Sequence, residues 1–65
     1  MIRTKYELLM QRFRAMMTES GACSKTVTNA ELLEKVKGET HEEKMRNVEA
    51  VLSLTSERYW HMRGL

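Results

Sequence analysis

One short pattern, Thr-x-x-Glu, occurs three times in this 65-residue chain: at Thr4–Glu7, Thr28–Glu31 and Thr40–Glu43. It constrains the fold more than any other feature. A threonine hydroxyl at a helix start can accept from the backbone N–H three residues on, and the glutamate can reach back to the threonine N–H. The glutamate also stands where the helix dipole favours negative charge. Val27 and Leu32 flank the second box as a hydrophobic staple. Each box is followed by one of the three glycines, Gly21, Gly38 and Gly64, and no proline interrupts any segment. Glycine adopts the left-handed conformation that ends helices. Three starts and three stops predict an all-α, three-helix domain spanning 1–65, with helices at about 5–20, 29–37 and 41–63 and a loop at Ala22–Val27.

Apolar spacing agrees with this punctuation. Tyr6, Leu9, Met10, Phe13, Met16 and Met17 recur at threes and fours and make one broad helical face. Leu32, Leu33 and Val36 make a short stripe. Met45, Val48, Leu52, Thr55, Tyr59 and Met62 continue the same rhythm through the third segment, with Val51 and Leu54 widening it. At 1.5 Å per residue the three helices run roughly 24, 14 and 34 Å. The third then outruns the cover that the other two provide, and its last turns, with Tyr59, Trp60 and Met62, are expected to present apolar groups on more than one side.

So small a chain buries a marginal core and gains from a staple or a second subunit. Cys23 is the only cysteine, which excludes an internal disulfide, and His41 and His61 lie at no metal-ligand spacing from it or from each other. Self-association, as a homodimer, is the expected route. One cysteine and the lack of a span-length apolar run or a signal-peptide pattern suit the cytoplasm, and no membrane contact is expected. Cys23 beside Lys25 reads as an incidental small residue in a loop. No nucleophile–base pair, phosphate loop or paired-carboxylate site appears, so neither enzyme activity nor a small-molecule substrate, cofactor or metal is expected.

Two functions lead, with a purely structural subunit of a larger assembly as a third. Aromatic and methionine side chains on helical faces are frequent anchors for protein partners. Tyr59, Trp60, Met62, Met10 and Met17 are the candidate protein-binding residues of a small regulator that docks on a larger protein. The alternative is a DNA-binding transcription regulator. Residues 29–50 have the outline of a helix-turn-helix, with Arg3, Lys5, Arg12, Arg14, Lys44 and Arg46 as candidate nucleic-acid contacts. That pattern is divergent. Where the common motif carries a small residue and two aliphatic ones, this chain has Glu34, Lys44 and Asn47. Its reading helix would begin His41-Glu42-Glu43, bringing two carboxylates toward phosphate. With a net charge of +2 the chain also lacks the basic concentration usual in nucleic-acid binders.

Overall fold

The computed structural model describes residues 4–65, and among them the chain is helical without strands. Four helices follow in order: α1 Lys5–Glu19, α2 Asn29–Glu34, α3 His41–Leu52 and α4 Glu57–Met62. All three threonine caps are in place. Thr4, Thr28 and Thr40 accept from the N–H groups of Glu7, Glu31 and Glu43 at 3.1, 3.2 and 3.1 Å. In the third box the return contact lands one residue early, with the Glu43 carboxylate accepting from the Glu39 N–H at 3.1 Å. A helix end leaves backbone donors without partners, and these contacts satisfy them.

The helix expected over 41–63 is corrected: it breaks after Leu52, and the fourth helix is short. Ser53, Thr55 and Ser56 cause the break. The Ser53 hydroxyl donates to the Ala50 carbonyl at 2.7 Å. The next N–H groups reach back only three residues, Leu54 to Val51 at 3.2 Å and Thr55 to Leu52 at 3.1 Å. Ser56 then turns extended and accepts from the Tyr59 N–H at 3.3 Å, which opens α4. Hydroxyl side chains compete with helical hydrogen bonding in this way, and here three of them fall within four residues.

The second helix also ends earlier than expected over 29–37. Its last regular residue is Glu34, and the N–H groups of Lys35 and Val36 close tight turns onto Leu32 and Leu33, each at 3.1 Å. Two α3 side chains hold this turn open. Lys44 Nζ donates to the Leu33 carbonyl at 3.0 Å, and Asn47 Nδ2 donates to the Lys37 carbonyl at 2.6 Å. Gly38 therefore does not stop α2. At φ 134° a Cβ there would lie 3.1 Å from the Lys44 backbone nitrogen, so glycine lets the turn pass close to the start of α3.

α1 and α2 both pack on α3. The core is Met10 and Phe13 from α1, Val27 and the α2 pair Leu32 and Leu33, Val48 and Leu52 from α3, and Trp60 from α4. The staple pair Val27 and Leu32 is thus buried in one cluster. Beyond α4, Leu65 donates its N–H to the Trp60 carbonyl at 2.9 Å and Gly64 donates to His61 at 3.0 Å. This is the paired closure of a Schellman turn, with Gly64 at φ 75°. The turn brings Leu65 against the core.

Candidate protein-binding groove

Trp60 was expected at the surface, and the structure places it at 2% exposure inside the core. The break at 53–56 is the reason. It turns α4 back toward α1, so the indole points inward while its neighbours Tyr59 and Met62, 42% and 81% exposed, face out. Arg12 of α1 covers the ring, its guanidinium carbon 5.7 Å from the centroid, and Tyr59 meets the indole edge-on at 5.1 Å. Arg12 also grips α4. Its two terminal nitrogens donate to the Glu57 carboxylate at 2.7 and 3.0 Å, and Nε donates to the Leu65 carbonyl at 3.4 Å. The Arg12 hydrogen bond holds the Glu57 carboxyl below its ordinary range; desolvation opposes it, and the charges of Arg12 and then His61 add to the lowering. A second tie joins Arg63, which caps the end of α4, to Glu19 of α1 and to the Tyr59 hydroxyl.

Met10 is likewise core, at 1% exposure. Met17 is different. Together with Phe13 and Met16 it forms one wall of an open groove of about 480 Å³. Val48, Ala50 and Val51 of α3 form the facing wall, and the 35–37 turn closes one side through Lys35, Val36 and Lys37. The lining is mostly apolar, with Lys35, Lys37 and Asn47 as its polar residues. The same sequence features that build the fold build this groove. The methionine face of α1 is wider than α3 can cover, and the early end of α2 leaves the 35–37 turn as a rim rather than a helix. Val51, widening the α3 stripe, stays 41% exposed along one edge. Of the expected anchors, the groove gathers Met17 alone; Tyr59 and Met62 stand apart on α4. Met16, Val36 and Val51 all lay on recognised apolar stripes, so their spacing carried the signal. Lys35 and Lys37 carried none, because their position depends on where α2 ends.

A second depression, between Lys5, Tyr6 and Leu9 of α1 and His41, Met45 and Glu49 of α3, has about 420 Å³ and charges of both signs. It is bridged by the Lys5–Glu49 ion pair at 3.3 Å and by the Tyr6 and His41 rings, 5.6 Å apart.

Of the expected nucleic-acid contacts, Lys5 and Arg46 share the second depression, together with Glu42 and Glu49. Arg3 lies outside the described residues. Arg12 is buried, and a buried guanidinium gripping a carboxylate does not reach phosphate. Arg14 donates to the Val27 carbonyl and to Asn29 Oδ1, the latter at 2.6 Å, fastening the 22–27 loop to α1. Lys44 caps α2, as described. Lys5 pairs with Glu49, and Arg46 pairs with Glu42 at 3.6 Å. Exposed pairs of the last kind are weak and open readily, whereas the Arg12, Arg14 and Lys44 contacts are partly buried and serve the fold.

No protein-family model matches the chain, and no curated protein or solved structure is significantly similar to it. Among the described residues no helix is long and apolar enough to cross a membrane.

Proposed function

We propose that this chain is a small regulatory protein that acts by binding a larger protein, and that the contact surface is the groove between α1, the 35–37 turn and α3. The observation that carries this reading is the groove's makeup. An open, apolar, methionine-walled concavity on a helical scaffold suits side chains of a partner, and methionine adapts to their shape. Trp60 leaves the proposed contact set because the fold itself uses it. Met17 stays, joined by Met16, Val36 and Val51. Blocking or recruitment through such a groove needs no chemistry beyond burial of apolar surface. The DNA-binding alternative has less support, because Arg12, Arg14 and Lys44 are occupied within the chain and Glu42 and Glu43 lead α3.

A photo-crosslinking residue placed at Val51, with a control at the exposed Arg58 on α4, tests the reading in the cell of origin. Protein adducts that survive nuclease and form from position 51 but not 58, and that vanish when Met17→Lys is added, are the expected result. Adducts that are nucleic acid, or that nuclease removes, would instead support the DNA-binding alternative.

A further inference from the structure

Resting on that protein-binding reading, we infer that the groove takes an acidic amphipathic helix from a different protein, its apolar side chains seated between Met17 and Val51 and its carboxylates over Lys35 and Lys37. The groove's lip carries two lysines, and among the described residues no aspartate or glutamate lines it. Charge complementarity at a rim steers encounter and rejects like-charged partners. The walls are two helices and a turn, and a groove of this kind accepts a helix through side chains spaced at i, i+3 or i+4 and i+7. Its volume of about 480 Å³ leaves room for a few large side chains and not for a folded domain.

A second copy of this chain is the competing occupant, and charge argues against it. Among the described residues the large apolar side chains exposed away from the groove are Leu54, Tyr59 and Met62. Tyr59 and Met62 travel with Arg58, which would bring a cation onto Lys35 and Lys37, while the nearby Arg63 is held by Glu19. Leu54 is flanked by Ser53 and Thr55, and Glu57, the carboxylate nearest to it in sequence, is held by Arg12. The protruding apolar groups among the described residues therefore come with the wrong charge or with none. The homodimer expected from an overhanging third helix also loses its motive, because that overhang folds back as α4.

The test is a selection followed by a map. A library of displayed helical peptides of roughly four turns, randomised at both apolar and flanking positions, is selected on the whole chain and counter-selected on Val51→Glu. Retained Trp60 fluorescence shows that the variant is folded. Selected peptides are then titrated into the chain labelled at methionine methyl groups. The expected peptides carry large apolar residues at helical spacing with Asp and Glu beside them. They shift Met16 and Met17 while leaving Met62 unmoved. Lys35→Glu/Lys37→Glu should weaken them about tenfold or more at low salt, and selection on that double variant should return Lys- and Arg-flanked peptides instead. Groove-binding peptides with neutral or basic flanks on the unaltered chain would overturn the acidic-helix inference and leave the groove itself as a protein site. A selection that returns no peptide able to shift Met16 and Met17 would remove both. Shifts of those methyl groups with the chain's own concentration, with no peptide present, would assign the groove to a second copy.

Discussion

Arg12 is a charged side chain at 7% exposure on a helix whose other buried residues are Met10 and Phe13. Burial of a guanidinium is costly unless it is paired and hydrogen-bonded. Here Glu57 takes it in a two-pronged contact while Trp60 lies under it, so three residues from two helices depend on one another. Nothing at position 12 announced this. Arg12 interrupts an apolar face beside Phe13, and its partner lies 45 positions away. Two predictions belong at this scale. Trp60→Ala should cost about 3–5 kcal/mol, a large share of so small a domain's stability, and the loss should be the same at low and high protein concentration. Trp60→Phe should cost much less, because it keeps an aromatic ring and removes an indole N–H that has no acceptor among the described residues. Urea melts of both variants check this, and negligible losses for both would place the indole outside the core. The second prediction concerns pH. Glu57 has a lowered folded-state pKa, so its contribution is fully present above the unfolded glutamate value of about 4.3. It disappears as pH falls below that value and through the folded one. In melts at stepped pH, the unaltered chain should lose stability more steeply below about pH 4 than Glu57→Gln, which has no carboxylate to protonate. Parallel pH profiles would mean that the Arg12 contact is absent in solution.

Elements were legible where a cap and a spacing agreed. Thr4, Thr28 and Thr40 each start a helix because hydroxyl, glutamate and apolar stripe all point the same way. Ser56 starts one with weaker credentials. Its third residue on is Tyr59 rather than a glutamate, and the stripe through Thr55, Tyr59 and Met62 keeps helical rhythm across the break. The spacing was real and its meaning was not: past Ser53 the chain changes direction, so Tyr59 and Met62 inherit the rhythm but not the buried face, and Trp60 gains it. The groove was half legible for the same reason. Its methionine and valine walls follow from stripes, whereas its lysine lip follows from a helix end set by the side chains of Lys44 and Asn47. Ser56→Ala separates the two architectures by sign. As the cap of α4, Ser56 should be worth about 1 kcal/mol, and the variant should melt earlier. In an unbroken helix over 41–63 the same change would put the best helix former at an interior site and raise stability by up to about 0.5 kcal/mol.

At the scale of the molecule, the chain measures 32 × 26 × 23 Å, and the short α4 closes it. Arg12–Glu57, Arg63–Glu19 and the indole bind the last helix to the first, and with that end used by the fold, the concavity beside Met16 and Met17 is the surface we propose for a partner. The fold therefore divides the aromatic and methionine side chains: Trp60 and Met10 inside, Met16 and Met17 along a groove, Met62 in solvent. Paramagnetic relaxation by an uncharged, water-soluble co-solute measures this division directly, on dilute protein labelled at the methionine methyl groups and the Trp60 indole. The indole and Met10 should be relaxed least, Met62 most, and Met16 and Met17 between them. An indole relaxed as strongly as Met62 would contradict the division and return the aromatic end to the surface.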